Sequence, residues 1–241
     1  MNDELDQLLA NLRLSKLRTL LPEALGKASS EQPDYQEFLV PLLRAEWHAR
    51  QEKSLAWRIK TAALPETFTL ETFPFAAQPG VSRRQIKSFA SLDFIPRAEN
   101  IVFIGKPGVG KTGLAIGILL KALENGYRGR FVRAQDLFDE MYASLADRSS
   151  RRLLNHLSRL DLLVIDELSY LNLRPEQANI FFKLVEERYR KKATIVTTNL
   201  GYDEWANFLG NKSMTAALLS RLRHQCQTVL IDGPSLRGNE G

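Results

Sequence analysis

The stretch that decides the fold is Ile101-Val102-Phe103-Ile104-Gly105-Lys106-Pro107-Gly108-Val109-Gly110-Lys111-Thr112. Residues 101–104 predict a short buried strand, and residues 111–125 predict a helix that stops at Gly126. Between them lies the pattern GxxxxGK[ST], in which a glycine-rich loop between a strand and a helix holds phosphate groups. A glycine-rich turn without a ligand is the alternative, but the flanking strand and helix favour a phosphate loop. The nucleotide-binding candidates are therefore Gly105, Lys106, Pro107, Gly108, Val109, Gly110, Lys111 and Thr112.

Each part of this loop has a physical reason to bind a nucleoside triphosphate, which we expect to be ATP. The glycines let the backbone curl so that its N–H groups face the phosphates, and the helix N-terminus adds partial positive charge. We expect Lys111 to reach the β- and γ-phosphates and the Thr112 hydroxyl to bind Mg²⁺. The predicted cofactors are therefore ATP and Mg²⁺.

A second strand ends in two adjacent carboxylates, in Leu162-Leu163-Val164-Ile165-Asp166-Glu167. We expect Asp166 to face Mg²⁺, usually through water, and Glu167 to polarise the attacking water. Such a pair favours a hydrolase over a kinase. Alone, a strand that ends in Asp-Glu is a weak signal, but downstream of a phosphate loop it becomes a strong one.

The next strand closes with Thr197-Thr198-Asn199. Asn199 is a candidate to hydrogen-bond the attacking water and to sense the γ-phosphate, because its strand is expected to neighbour the one that ends in Asp166. The alternative is an asparagine in a strand-to-loop turn, which is a common place for this residue.

The chain around these motifs divides into a helical part and an alternating part. Residues 1–62 predict an all-helical N-terminal domain, with leucines at helical spacing, a break at Pro22 and an N-cap at Asp34. Residues 63–81 are rich in proline and phenylalanine and predict a linker. Residues 82–241 alternate strands and helices, which predicts an α/β domain with a five-stranded parallel sheet between helices. The expected strands are 101–104, 130–132, 162–165, 193–197 and 228–231.

Composition narrows the setting of the protein. The 241 residues carry a formal net charge of +5, a moderate excess that favours an anionic partner such as nucleic acid but also suits a merely basic surface. The single cysteine, Cys226, excludes a disulfide framework within the chain and is interpreted as passive. We expect no membrane span, no secretory signal and a location in the bacterial cytoplasm.

The motifs together resemble those of a known family. The phosphate loop, Asp166-Glu167 and 197–199 occur in the order of AAA+ P-loop ATPases. More narrowly, the chain resembles the IstB-like ATP-binding proteins, relatives of the helicase loader DnaC, and the resemblance covers nearly the whole chain. Two departures are Gly113, where the family often has histidine, and Pro234 before Ser235. The stretches that carry the narrower resemblance are 38–46, 83–87, Ile165-Asp166-Glu167-Leu168-Ser169-Tyr170-Leu171, 188–189 and 217–222.

This resemblance implies an ATPase that helps a bacterial insertion sequence to transpose. The implied partners are double-stranded DNA, bound with little sequence preference, a cognate transposase of the IstA type, and further copies of the chain in a homo-oligomer on the DNA. A DnaC-like loader of a replicative helicase is the alternative, and composition and spacing do not separate the two. A small-molecule kinase and a nucleotide-gated scaffold with slow hydrolysis are further alternatives.

The resemblance also implies an arginine that acts between subunits. Arg221 matches the family's arginine finger, which a neighbouring subunit would project at the γ-phosphate. Arg223 is the nearby rival, and a plain surface arginine is the bland alternative. The ten residues after Ile231 are too few for the helical C-terminal lid of most AAA+ proteins, so we expect no lid. Arg237 is then a candidate to replace the lid arginine.

A basic segment, which we define as residues 147–152, precedes the strand that ends in Asp166. It contains Arg148, Arg151 and Arg152, in a region where related initiators and loaders carry an extra helix that lines a central pore. We expect these arginines to contact DNA phosphates, which gives affinity and salt dependence but no sequence reading. A charged, solvated loop is the equal alternative.

Overall fold

A computed structural model describes residues 3–169, 171 and 173–237. Tyr170, which is part of the quoted resemblance, lies outside the described residues. By its internal contacts the chain divides between Trp57 and Arg58 into two compact units. No helix among the described residues is long and apolar enough to cross a membrane.

The first unit consists of helices in its described part. They are α1 (Asp3–Asn11), α2 (Ser15–Glu31) and the greater part of α3 (Tyr35–Ala62). The expected break at Pro22 is wrong, because α2 continues through this residue. The neighbours of Pro22 in this helix, Leu21 and Ala24, pack in a cluster of leucine side chains. The free energy gained by this burial offsets the loss of the hydrogen bond that proline cannot donate. The cluster is formed by Leu9, Leu17, Leu21 and Leu42.

A buried carboxylate fixes the start of α2 within this unit. Glu46 is 4% exposed, and its Oε2 accepts hydrogen bonds from the backbone N–H groups of Lys16 at 2.8 Å and Leu17 at 3.0 Å. Arg50 donates to Oε1 at 2.9 Å. Burial alone would raise the pKa of Glu46, but these bonds outweigh it and hold the pKa below its usual value. The carboxylate therefore serves helix α2 as a tertiary cap.

The second unit contains the predicted five-stranded parallel sheet. The strands lie in the order β2-β3-β4-β1-β5, and every neighbouring pair is parallel. The β-branched and leucine-rich runs form these strands because both faces are covered, as their burial shows for Ile101, Val102 and Phe103. The prediction of five parallel strands is confirmed. Their bounds are β1 (Asn100–Gly105), β2 (Gly129–Arg133), β3 (Leu162–Leu168), β4 (Ala193–Thr198) and β5 (Cys226–Ile231).

Seven helices within the described part of the second unit accompany the sheet. Helix α5 follows β1 directly, and nine of its residues from Leu114 to Leu123 are buried, which explains why its sequence is apolar on nearly every side. A shared apolar core joins α6, α7, α8 and α10 to the sheet. The helices are α4 (Arg83–Ala90), α5 (Lys111–Glu124), α6 (Ala134–Ala146), α7 (Ser150–Ser158), α8 (Pro175–Arg188), α9 (Trp205–Leu209) and α10 (Lys212–Arg223).

The segment 63–81 is a packed part of the second unit, in contrast to the linker that its prolines predict. Leu70 and Phe73 are buried, and Leu70 packs against Gly117 of α5. Gln78 is fully buried, and its amide donates to the Val109 carbonyl at 3.2 Å. Apolar side chains spaced along the segment supply this contact surface, a feature that the proline and glycine signals obscured.

A buried arginine ties α7 and α8 to the start of β4. Arg188 is 3% exposed and donates to the carbonyls of Leu157 at 2.6 Å and Leu160 at 3.0 Å. It also donates to the Thr194 hydroxyl at 3.0 Å and to the Ala193 carbonyl. Burial lowers the pKa of Arg188 to about 9. Its role is structural, because all four of these hydrogen-bond acceptors are neutral oxygens of the chain's own core.

Candidate nucleotide site

The loop between β1 and α5 has the conformation that a phosphate site requires. Gly108 and Gly110 have φ of +83° and +95°, a left-handed region that other residues adopt only with strain. Gly110 is the N-cap of α5, so the first turn of that helix presents its backbone N–H groups beside the loop. The backbone conformation of this loop therefore suits the phosphate binding that its sequence predicts.

The amine of Lys111 folds back onto the loop. Its Nζ donates to the Gly105 carbonyl at 2.7 Å and to the Lys106 carbonyl at 2.8 Å. Burial lowers the pKa of Lys111, and Asp166 and Glu167 partly counter this effect. Two neutral carbonyls are weak partners for an ammonium group, so a phosphate oxygen is a stronger acceptor for this side chain.

Asp166 is the centre of a small hydrogen-bonded network. It is 3% exposed, and its Oδ1 accepts from the Thr197 hydroxyl at 2.6 Å and from the Thr112 hydroxyl at 2.9 Å. Burial raises the pKa of Asp166, although both hydrogen bonds act in the opposite direction. The network brings Thr112 and Asp166 together, as the sequence motifs predict, and joins them to β4 through Thr197.

A bulge in β3 directs the two carboxylates into one cleft. The register against β4 shifts between Ile165 and Leu168, and Glu167 has φ of +57°. Its N–H donates to the Thr197 hydroxyl at 2.9 Å. In a regular strand adjacent side chains point to opposite faces, but here Asp166 and Glu167 line the same cleft. β-Bulges are over-represented next to active sites, where they redirect a side chain.

The cleft has a volume of about 850 Å³, which is in the range for small-molecule sites. Asn199, exposed just beyond β4, lines it together with the loop and the two carboxylates. Sequence reasoning missed several further lining residues, although the end of β2 next to Asp166 could have indicated Arg133. The missed residues are Pro65, Glu66, Phe68, Phe73, Pro74, Phe131, Arg133, Ser169 and Leu236.

The described residues after β5, 232–237, contain no helix and lie over the phosphate loop. The N–H of Leu236 donates to the Gly108 carbonyl at 2.8 Å. The Gln78 amide joins this segment to the loop, because it donates to both Pro234, at 2.9 Å, and Val109. Arg237 lines the cleft, and its charge contributes to the lowered pKa of Lys111.

Arg221 does not line the cleft of its own chain. It projects from the last turn of α10, where it donates to the Ala217 carbonyl at 3.0 Å and to Glu186 at 3.3 Å. Its guanidinium also lies 5.1 Å from the centre of the Phe182 ring. Its rival Arg223 lies over the Tyr202 ring at 4.6 Å. Arg221 is therefore held by residues of its own chain away from the lining of the cleft.

The basic segment lies between α6 and the first turn of α7. Arg148, Arg151 and Arg152 are all exposed, and none of them lines the cleft. Arg148 has φ of +57°, and Ser149 donates its N–H to the Asp147 carboxylate at 2.9 Å. This turn presents the three arginines to solvent, which suits both a phosphate contact and a solvated loop.

The parallel sheet and the phosphate loop are those of a P-loop nucleotide-binding protein. The model of the IstB-like ATP-binding protein family matches residues 7–240, and the chain belongs to this family. A Pseudomonas aeruginosa protein of insertion sequence IS21, whose name describes it as ATP-binding, is 36% identical over 237 residues, 98% of this chain and 89% of that protein. A Geobacillus stearothermophilus relative of insertion sequence IS5376 is 37% identical over 88% of this chain and 85% of its own length.

Solved structures show the same fold. The replication initiator DnaA bound to AMPPCP and single-stranded DNA superposes with a TM-score of 0.60 at 20% identity. The match covers 71% of this chain and 52% of that chain. At this identity the likeness shows a shared fold alone, and functional conclusions depend on the family and on the site itself.

Proposed function

We propose that this chain is a Mg²⁺-dependent ATPase that assembles on DNA and assists the transposase of its insertion sequence. The observation that carries the proposal is the contact of Thr112 with Asp166 beside the phosphate loop, with Glu167 directed into the same cleft by the bulge in β3. Family membership supplies ATP binding. The names of the relatives supply the link to insertion sequences.

The donor set fits ATP with Mg²⁺. A hydroxyl and a carboxylate are oxygen ligands of the kind that Mg²⁺ prefers. Among the described residues Asp166 accepts hydrogen bonds only from threonine hydroxyls, so its buried charge has no cationic partner at close range. When bound, Mg²⁺ would neutralise phosphate charge, while Lys111 and the loop N–H groups hold the phosphates.

Glu167 is placed to handle a water molecule. Its carboxylate is exposed to the cleft, and its backbone is fixed through Thr197, which also binds Asp166. In the proposed reaction Glu167 accepts a proton from the attacking water, and the Asn199 amide orients that water. Because both side chains lie at adjacent strand ends of one cleft, the phosphate loop and the water would be held by one rigid sheet edge.

Arg221 supports an assembled active form. It is turned away from the cleft of its own chain and is held by Glu186 and Phe182, so in our proposal it completes the cleft of a neighbouring copy. An arginine supplied from another chain is a common way to stabilise phosphoryl transfer. Hydrolysis then depends on the homo-oligomer.

The exposed arginines of the basic segment support contact with DNA. Three cations on one turn, in a chain of net charge +5, suit the phosphate backbone of a duplex and read no sequence. The replication initiator DnaA, whose solved structure contains single-stranded DNA, has a similar fold. The insertion-sequence names of the relatives favour transposition over the loading of a helicase.

The decisive experiment measures ATP turnover against protein concentration, with and without random-sequence duplex DNA. We expect turnover per chain to rise cooperatively with concentration and to increase with DNA. A second arm mixes Arg221→Ala with Lys111→Ala, each inactive alone. Because one variant keeps an intact cleft and the other an intact arginine, mixing should restore turnover.

Turnover that is linear in protein concentration, indifferent to DNA and not restored by mixing would contradict assembly and leave a self-contained enzyme. Lys121→Ala is the matched control for Lys111→Ala, since Lys121 lies on the same helix and pairs with Glu124 at the surface. This control should retain full turnover.

A further inference from the structure

The cleft has two kinds of wall. At the carboxyl ends of the strands it is polar and charged, with Asp166, Glu167, Asn199 and Arg133. The other wall comes from the segment 63–81, and its lining residues are mainly aromatic or proline, namely Pro65, Phe68, Phe73 and Pro74. Such a division suits a ligand with a charged end and a flat apolar end.

Phe68 touches the helix that carries the phosphate-binding residues. A Cβ atom at Gly113 would lie 3.1 to 3.3 Å from three ring atoms of Phe68. This spacing is closer than ordinary side-chain contact, so the ring occupies the space that a side chain at 113 would need. Since Gly113 follows Thr112 directly, the aromatic surface begins one residue from the predicted Mg²⁺ ligand.

The aromatic wall is anchored before any ligand arrives. Phe73 is 4% exposed and lies against the loop, since a Cβ at Gly110 would be 2.7 Å from its Cε2 atom. The rings of Phe68 and Phe73 meet edge to face, with centroids 6.4 Å apart at 74°. Phe68 itself remains partly exposed to the cleft. One ring is therefore fixed as a support and the other is available for contact.

We propose that Phe68, supported by Phe73, is the platform for the purine base of the nucleotide. The proposal rests on the proposed function, because it places the base against the aromatic wall of the cleft once the phosphates occupy the loop. A base stacks well on an aromatic ring and gains little from charged walls. Gly113 is then a specificity feature, because its missing side chain admits Phe68.

The test separates the base from the phosphates by comparing two ligands, Mg²⁺-ATP and Mg²⁺-tripolyphosphate, in calorimetric titrations of the full chain. Loss of one stacked ring weakens binding by about tenfold. We therefore expect Phe68→Ala to weaken ATP by about this factor and to leave tripolyphosphate unchanged. Phe68→Trp should restore ATP affinity, and its added fluorescence should respond to ATP and not to tripolyphosphate.

A second variant keeps the proposal testable if Phe68→Ala disturbs the fold. Gly113→Ala forces the Phe68 ring to move by a few tenths of an ångström, so it should lower ATP affinity more than tripolyphosphate affinity. Equal losses for both ligands, or no loss for either, would overturn the platform and leave the phosphate site intact. If the wild-type chain binds neither ligand, the proposed function fails as well.

Discussion

The nucleotide cleft and the basic segment both contain charged residues that we propose to act on ligands, but the two regions expose these residues to different extents. In the cleft, Asp166 is buried and Lys111 is half-buried, and both are hydrogen-bonded within the chain. In the basic segment, Arg148, Arg151 and Arg152 face solvent. Residues that act on a ligand inside the fold have their geometry fixed in advance, whereas residues for an external partner do not.

Arg221 shares one property with each of these two regions. It is held by Glu186 and by the Phe182 ring, so its position is defined by its own chain, yet it does not line that chain's cleft. This arrangement suits a residue whose ligand lies in a neighbouring copy. The comparison predicts that changes in the cleft act with or without DNA, while changes in the basic segment act only when DNA is present.

The largest effect is expected from Glu167→Gln. The amide cannot take a proton from water, and loss of a general base slows reactions by roughly 10²- to 10⁴-fold. ATP binding should persist, because Lys111 and the loop are unchanged. Single-turnover hydrolysis and nucleotide titration, each with and without duplex DNA, measure the two effects separately.

Glu176→Gln is the control for this variant, since Glu176 is exposed in the first turn of α8. It should hydrolyse ATP at the wild-type rate. A Glu167→Gln protein with normal turnover would remove the water-activating role from this residue. If Glu167→Gln loses turnover only when DNA is present, changes in the cleft are not independent of DNA, and the comparison between the two regions is wrong.

The parts of the site that the sequence predicts are those built from contiguous residues. The loop from Gly105 to Thr112 and the strand that ends in Asp166 are local patterns, and each carries its own geometry. The five strands were predictable for the same reason, because unbroken apolar runs report strands buried on both faces.

The parts that the sequence misses depend on contacts between distant segments. The bulge at Glu167 arises from pairing with β4 and from the Thr197 hydroxyl, 30 residues away. The packing of Phe73 on the loop and of Gln78 on Pro234 likewise joins segments far apart in the chain. Proline and glycine signals describe only local backbone, so they predicted a linker where tertiary contacts form a wall of the cleft.

Reversal of the basic segment should have a smaller effect, confined to DNA. Changing Arg148, Arg151 and Arg152 to glutamate removes three candidate phosphate contacts, and each contact contributes about 0.9 to the slope of log affinity against log salt concentration. We expect weaker duplex binding, a salt slope reduced by up to about 3, and unchanged turnover without DNA. Fluorescence anisotropy across a salt titration measures the slope.

Arg190, Lys191 and Lys121 provide the matched control, because all three are charged surface residues outside the cleft and the segment. Their reversal to glutamate gives the same net charge as the test variant. If both triple variants lose DNA binding equally, overall charge explains the affinity and the segment has no special role. An unchanged salt slope in the test variant would reject the contact outright.

The smallest effect is expected in stability, from Asp166→Asn without nucleotide. Burial raises the pKa of Asp166, so the folded chain binds this proton more tightly than the unfolded chain. Ionisation of Asp166 therefore lowers the free energy of unfolding. The loss is absent below the pKa that Asp166 has in the unfolded chain, and it is complete above the pKa that Asp166 has in the folded chain. Asparagine keeps the volume and one acceptor oxygen for the two threonines.

At neutral pH without Mg²⁺, Asp166→Asn should thus unfold at a higher temperature than the wild type. The difference should vanish as the pH falls below the unfolded pKa of aspartate, and Asp93→Asn at the exposed surface should show none. With Mg²⁺ and ATP the order should reverse, because only the carboxylate gains a cation. If Asp166→Asn is instead less stable than the wild type by an amount that does not change with pH, the Asp166 carboxylate is already stabilised in the free chain. The cleft would then be less specialised for a metal ion than its contacts indicate.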